Sequence, residues 1–586
     1  MIKILKNLQK KEIIFIIISI LFIVLQVWLD LRIPEYMSNI TKLLQTNNSS
    51  INDILREGLR MLVCSLGSLI LAIFVGYFAA FVGTSFEKKL RRMMFEKVES
   101  FGMEEIQKFS TSSLITRTTN DITQVKMFLI LGIQMLVKAP IMAFMAIMKI
   151  IGKEWTFSLI TIIGVLIIFV LSIVLIFITI PKFKKVQKLT DDINKITREN
   201  LTGIRVVRAY NAENYQTSKF ENINDDLTKT HMFTQRLMAI VNPVMSSIMS
   251  GISLSIYWTG AYIINKALIM DKINIFSDMV VFSSYAVQVI ISFMLLVAIF
   301  IIYPRASVSI SRINEVLNTN SKIKNGNLSK DNGLKGEVEF INVSFKYPDA
   351  EEYVLNNISF KANNGEVIGV IGSTGSGKST LINLIPRFYD ITEGKILIDG
   401  VDIKDMKLEY LYDKLGYISQ KAVLFKGSVK DNISLGKVNN KKVGKEFINE
   451  SLSIAQAKDF VDKMEKGIDS NISQGGTNVS GGQKQRLSIA RAIARNPEIY
   501  IFDDSFSALD YKTDYNLRRR LNKYTKNSTK FIVSSRIGTI KDADKILVLD
   551  NGVLVGIGKH KELLNTCKVY REIAESQLSK EELENA

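Results

Sequence analysis

The sequence predicts an all-α membrane domain of six transmembrane helices with long helical extensions, followed by an α/β domain of the P-loop type. Three observations carry that prediction. Long apolar runs are confined to residues before about 305. Lysines and arginines bunch between those runs, where a membrane protein keeps its cytoplasmic positive charge. Finally, Gly372-Ser373-Thr374-Gly375-Ser376-Gly377-Lys378-Ser379-Thr380 stands between an apolar run, residues 367–371, and a helix-like stretch, residues 381–385. Strand, glycine-rich loop and helix, in that order, are the setting a phosphate-binding loop requires.

A chain of 586 residues exceeds what one core supports, so more than one domain is expected. The formal charge of +18 would suit nucleic acid, but its placement between apolar runs favours a membrane and excludes nucleic acid as a partner. Cys64 and Cys567 lie far apart and imply neither a disulfide framework nor a metal site. The only histidines are His231 and His560.

The basic N-terminus, residues 1–11, runs into apolar sequence without a small-residue cleavage site, so it reads as an uncleaved first span. The six spans fall at about 13–33, 58–82, 127–151, 156–180, 240–264 and 279–302, each long enough for ~30 Å of hydrocarbon. The loops after the second span (Lys88, Lys89, Arg91, Arg92, Lys97) and the fourth (Lys182, Lys184, Lys185, Lys188) are long and basic. Both termini and the P-loop domain are therefore expected in the cytoplasm of a multi-pass cell-membrane protein. Phe86, Leu90, Met93, Met94 and Val98 repeat at helical spacing, so the helices should continue past the spans.

Within the third span, Lys138 and Lys149 stand out, since charge in hydrocarbon costs at least a few kcal/mol without water or a partner. Lys149 is placed to snorkel from the span end. Lys138 reads either as lining an aqueous cavity or as marking a displaced span boundary. Pro140 and Pro243 are candidate kink sites. A polar stretch, residues 318–335, reads as a linker between a membrane domain at 1–317 and a nucleotide-binding domain at 336–586.

In the P-loop the glycines let backbone N–H groups converge on one point, and the helix N-terminus adds its dipole. Lys378 supplies charge for β- and γ-phosphates, and Ser379 a hydroxyl for Mg²⁺. A second apolar strand, Ile499-Tyr500-Ile501-Phe502, ends in Asp503-Asp504; a carboxylate there holds Mg²⁺ beside a phosphate loop. Val479-Ser480-Gly481-Gly482-Gln483 opens a helix carrying Lys484, Arg486 and Arg491, a second helix N-terminus suited to an anion.

These motifs, in this order, resemble the ATP-binding cassette (ABC) family along essentially the whole chain. Residues 372–380 resemble its Walker A and residues 499–503 its Walker B, while 479–483 resemble its LSGGQ signature with Val for Leu. Gln420 matches the Q-loop glutamine, Ser507-Ala508-Leu509-Asp510 the D-loop, and Tyr347 the aromatic that stacks on adenine. Residues 199–210 are similar to the second cytoplasmic loop of ABC exporters. The resemblance implies Mg-ATP binding, with Ser379, Gln420 and Asp503 as the Mg²⁺ set. It also implies a dimer in which each ATP lies between one chain's Walker motifs and the other's signature. Coupling segments are implied near residues 112–121 and 208–215.

Two residues depart from the pattern. The family's catalytic glutamate is Asp504 here, over ~1 Å shorter in reach, and a misplacement of that size can cost about 10²-fold in rate. The switch histidine is Ser535, in Ile532-Val533-Ser534-Ser535-Arg536, and serine cannot carry charge at neutral pH. Gln474 replaces an acidic residue common before the signature, and Tyr511 follows the D-loop.

The expectation is a slow, degenerate Walker side and an intact signature. By resemblance, this suits one subunit of a heterodimeric ATP-driven exporter of hydrophobic or amphipathic compounds, with multidrug breadth among the expected ranges. The partner half-transporter would carry the glutamate, the histidine and an altered signature, and most of the ATP hydrolysis. An ATP-binding sensor or regulatory subunit remains an alternative, as does a slow homodimeric exporter of lipid or peptide.

Overall fold

The computed structural model describes residues 8–45, 50–151, 155–267, 269–329, 333–348, 350–436, 443–579 and 583. The first seven residues of the basic N-terminus and residues 330–332 of the expected linker lie outside that set. The chain forms two compact units: Met1–Glu99 with Thr111–Thr319, and Ser100–Ser110 with Asn320–Ala586.

The first unit is helical: α1 (Lys10–Gln45), α2 (Ile51–Glu99), α4 (Thr111–Thr118), α5 (Asn120–Leu131), α6 (Lys138–Ile150), α7 (Trp155–Thr202), α8 (Ile204–Ala209), α9 (Glu213–Lys266) and α10 (Ile269–Asn318). The short α3 (Met103–Phe109) belongs to the second unit. Among the described residues, six helical stretches are long and apolar enough to cross a membrane. At 1.5 Å per residue, the 49 residues of α2 reach about 74 Å, well beyond a bilayer. Past its span, Phe86, Leu90 and Met94 are buried, so the helical spacing read from the sequence does mark a packed face.

The third span is not one uniform helix. Between α5 and α6 the chain forms a π-helical turn, Gly132–Leu136. Pro140 has no N–H to give the carbonyl of Leu136 four residues back, and its ring crowds that carbonyl, so the turn ahead of it widens. The two lysines have partners on α1. Lys149 lies 2.5 Å from Glu35, rather than simply snorkelling, and Lys138 lies 3.6 Å from Asp30. Tyr285 of α10 donates to the Leu31 carbonyl at 3.1 Å and to Glu35 at 3.3 Å.

Ser100–Ser110 of the first long loop groups with the second unit, and residues 112–121 and 208–215 group with the first. A buried carboxylate is one of the ties that hold Ser100–Ser110 in the second unit. Glu105 accepts from the backbone N–H of Gly102 at 2.9 Å and of Lys322 at 3.0 Å, and Gln107 donates to the Tyr389 hydroxyl at 3.0 Å.

The second unit holds two main sheets. One is antiparallel, ordered β2 (Leu355–Ala362), β1 (Val338–Phe345), β4 (Glu393–Ile398), β5 (Val401–Asp402). The other runs β12 (Val553–Gly558), β11 (Lys545–Asp550), β3 (Val367–Gly372), β10 (Thr529–Val533), β9 (Ile499–Asp503), β6 (Leu415–Ile418). All but β12 are parallel. β9 and β10 are buried along their whole length, which is why they read as unbroken apolar runs. A small ribbon pairs β7 (Gly427–Ser428) with β8 (Asn471–Ile472). The two main sheets are pinned by Lys414, which reaches Asp399 after β4 at 2.8 Å and Glu498 before β9 at 2.6 Å. Residues 326–328 of the expected linker bond by backbone to Asp405 and Met406, so that stretch is docked.

Candidate functional site

Parallel pairing aligns the strand ends. Val533 pairs with Val370 and with Asp503, and Ile418 pairs with Phe502. The loops leaving β3, β9, β10 and β6 therefore emerge along one carboxyl edge, where ligands bind open parallel sheets. That edge gathers the glycine loop, Asp503-Asp504, Ser535 and Gln420, residues far apart in sequence.

The loop needs its glycines. A Cβ on Gly372 would meet the Leu549 carbonyl at 2.1 Å and Ser376 Oγ at 2.6 Å. Gly377 sits at φ +95°, and a Cβ there would lie 2.8 Å from Leu355. Helix α11 (Lys378–Leu384) follows. Lys378 folds back to donate to the carbonyls of Gly372 at 2.9 Å and Ser373 at 2.6 Å. Ser379 Oγ donates to Asp503 Oδ1 at 2.9 Å. Tyr347, after β1, touches Thr380 Oγ1 at 3.1 Å and packs edge-on to Tyr389. Gln420 is exposed two residues beyond β6.

The electrostatics point to a ligand. Burial pulls the Lys378 ammonium below its usual range, only partly offset by Asp504 and then Asp503. Burial pushes the Asp503 carboxyl up; the Ser379 hydroxyl opposes that and the Asp504 charge adds to it. Each charge is held in a setting that disfavours it. Ser376 Oγ is buried without a hydrogen-bond partner among the described residues. A phosphate would meet Lys378, and an oxygen-seeking Mg²⁺ would meet Ser379 and Asp503, so the side chains fit both groups. When bound, Mg²⁺ neutralises charge on the phosphate oxygens.

Asp504 takes φ +45°, a left-handed conformation in which aspartate is enriched among non-glycine residues. Its N–H donates to the Val533 carbonyl at 3.1 Å, and its own carbonyl accepts Ser507 Oγ at 2.8 Å. Ser535 is exposed, and its carbonyl accepts Gln577 Nε2 at 2.8 Å, while Gln577 Oε1 accepts Ile537 N–H at 2.9 Å. Sequence reasoning missed this clamp, because nothing local marks Gln577 as reaching the turn after β10.

The signature segment caps helix α12 (Gly481–Ala494). Ser480 Oγ accepts Gln483 N–H at 3.3 Å and Gln483 Oε1 accepts Ser480 N–H at 2.9 Å, a reciprocal capping box. Ser480 and Gly481 are exposed while Val479 is buried, which suits the Val-for-Leu change. A Cβ on Gly482 would stand 3.3 Å from the Ala508 carbonyl, so the D-loop passes close by. Leu509 is buried, and Asp510 caps α13 (Tyr511–Tyr524) by accepting Thr513 N–H at 2.9 Å. That bond is the main reason the Asp510 carboxyl lies below its ordinary range. Gln485, also unforeseen, donates to the Ser419 carbonyl at 3.3 Å and joins the signature helix to the residue before Gln420.

A phosphate loop, hydroxyl and strand-end carboxylate on one sheet edge, in a chain with six membrane-spanning helices, define a membrane-bound P-loop nucleotide-binding protein. Residues 16–293 match the ABC transporter transmembrane region and residues 355–507 the ABC transporter family domain. An uncharacterised ABC transporter ATP-binding protein of Mycobacterium tuberculosis (strain ATCC 25618 / H37Rv) is 36% identical over 526 residues, 89% of each chain. YgaD of Bacillus subtilis (strain 168), whose name provisionally describes a multidrug export ATP-binding/permease protein, is 29% identical over 85% of this chain and 84% of its own. A bacterial Atm1-family ABC exporter solved with ATP bound shares the fold, with TM-score 0.79 and 21% identity over 97% of this chain and 100% of that one. The chain belongs to the ABC transporter family, as a half-transporter joining one transmembrane region to one ATPase domain.

Proposed function

We propose that this chain is the degenerate-site subunit of a heterodimeric ATP-driven exporter of amphipathic or hydrophobic compounds. The observation that carries the reading is an asymmetry within one domain. Lys378, Ser379 and Asp503 are assembled for Mg-ATP, yet the two positions that would drive hydrolysis hold Asp504 and Ser535. Ser480 and Gly481, by contrast, are capped and exposed, ready to complete an ATP site on another chain. In this reading the chain's own Walker side, with Tyr347 and Gln420, holds ATP with slow turnover. Residues 479–483 and the D-loop serve the partner's competent site. The nucleotide-binding domain and both termini face the cytoplasm. A relative named for multidrug export supports export as the direction.

The test is Ser480→Arg in the assembled pair. The added side chain fills the anion-facing helix N-terminus, and ATPase activity should fall at least about 100-fold although the partner's Walker motifs are untouched. Unchanged turnover would sink the cross-subunit assignment, and a fully active purified homodimer would sink the heterodimer.

A further inference from the structure

The membrane unit contains a charge cluster that nucleotide chemistry does not use. On α1, Asp30, Arg32 and Glu35 meet Lys138 and Lys149 of α6. The outer rung is saturated. Glu35 takes Lys149 at 2.5 Å, Arg32 at 2.8 Å and Tyr285 at 3.3 Å, and Arg32 also lies over the Trp28 ring.

The inner rung is not saturated. Asp30 is anchored by the Ser68 hydroxyl, but its distance to Lys138, 3.6 Å, is too long for a hydrogen bond. The Lys138 ammonium, with three donors, makes no hydrogen bond among the described residues, and its side chain is 24% exposed. Lys138 and Ser68 lie near the middle of the apolar runs read from the sequence, 127–151 and 58–82. A charged donor left open at that depth marks an aqueous or ligand path, because lipid gives it no acceptor.

Three further facts point the same way. The π turn Gly132–Leu136 ends two residues before Lys138, and such turns recur at functional sites. Gln288 lies three residues along α10 from Tyr285, on the same face, and its Oε1 is buried without a partner. Across both rungs three cations face two carboxylates, so the cluster favours an added anion.

We propose that Lys138 is the recognition point for the anionic head group, a carboxylate or phosphate, of an amphipathic ligand within the membrane unit. The ligand's being cargo rests on the exporter reading; its binding does not. It is either a transported amphiphile or an anionic lipid of the bilayer.

The full chain, with any subunit that co-purifies, is placed in phosphatidylcholine nanodiscs without nucleotide. Binding of dodecyl phosphate, dodecyltrimethylammonium and dodecyl maltoside is then measured by equilibrium dialysis. Dodecyl phosphate should bind saturably. Its Kd should weaken at least about tenfold in Lys138→Met and in Asp30→Asn/Lys138→Met, the latter leaving no unpaired carboxylate to disturb folding. Lys138→Arg should stay within about threefold of the parent chain, because it keeps the charge. Dodecyl maltoside binding should not respond to these changes. Parental affinity for dodecyl phosphate in the double variant, or equal losses for all three amphiphiles, would overturn the proposal. Competition by phosphatidylglycerol added to the disc supports a lipid occupant, and indifference to it supports a soluble amphiphile. ATP-driven uptake of dodecyl phosphate into vesicles separates the two readings. Uptake that falls with Lys138→Met supports a cargo site, whereas uptake absent or indifferent to Lys138→Met, alongside Lys138-dependent binding, overturns the cargo reading and leaves the site standing.

Discussion

Restoring Asp504→Glu together with Ser535→His should convert a slow site into a faster one. At position 504 the backbone is held from both sides, by the Val533 carbonyl at 3.1 Å and by Ser507 Oγ at 2.8 Å. The extra methylene should therefore extend the carboxylate without moving the chain. Recovering about 1 Å of reach is worth up to about 100-fold, or ~2.7 kcal/mol of barrier. The left-handed backbone, φ +45°, costs any non-glycine side chain roughly 1–2 kcal/mol. Asp504 already bears most of that cost, so the difference for glutamate is smaller than the gain. Ser535 is exposed and is tethered through its carbonyl, so a larger side chain there can extend into solvent. A histidine there titrates near ~6.5; the charge that serine cannot carry forms as pH falls towards that value, so the recovered rate should grow in the same direction. The assay is steady-state ATP hydrolysis in nanodiscs, in two settings. One is the pair with its partner's catalytic residue disabled. The other is the chain alone, whose own signature would complete a homodimeric site. An increase of about 10- to 100-fold is expected in at least one setting. A change under about twofold in both, with ATP binding intact, would refute the account of Asp504 and Ser535 as the cause of slow turnover.

Asp503→Asn keeps an acceptor for Ser379 Oγ but removes the charge. Nucleotide binding measured with and without Mg²⁺ should then lose most of its metal dependence. Lys414→Met strands two carboxylates, and the second unit should lose about 3–5 kcal/mol, read as a lower thermal transition. Burial alone would lower Lys414, but Asp399 and Glu498 more than reverse it and hold it above the ordinary lysine range. Lys530 is 2% exposed and donates to the carbonyls of Thr525 and Ser528. Burial pulls it from 10.5 down to about 8, with Asp544 opposing weakly. Between those two values the unfolded chain binds the extra proton, so this group makes stability rise with pH there, by at most about 3 kcal/mol. Lys530→Met should remove that rise when thermal transitions are compared across the window.

Local order made much of the architecture legible. The six spans, the helix running on through Phe86, Leu90 and Met94, and the P-loop between its strand and helix each rest on residues close in sequence. Asp503 could be placed because it ends a buried parallel strand, a pattern visible in Ile499 to Phe502. What stayed hidden depends on contacts between distant residues. Gln577 reaches Ser535 across 42 positions and Gln485 reaches Ser419 across 66, and neither glutamine carries a local signal. The partners of Lys138 and Lys149 were on the page as Asp30 and Glu35, but helix pairing in a bundle is not written in periodicity. Pro140 was a visible warning of a kink, yet a π turn needs a backbone count that sequence spacing does not reveal.

The buried carboxylate of Glu105 gives the chain an unusual connectivity. The polypeptide passes from one compact unit to the other at residue 100, returns at 111 and passes again at 320. The second unit is thus stitched to the first by three crossings, not hung from one linker. A protease nick between residues 323 and 336 would leave the Glu105 bonds on the N-terminal fragment, while Gln107 would still donate to Tyr389 across the cut and hold residues 100–110 in the ATPase unit without a covalent thread.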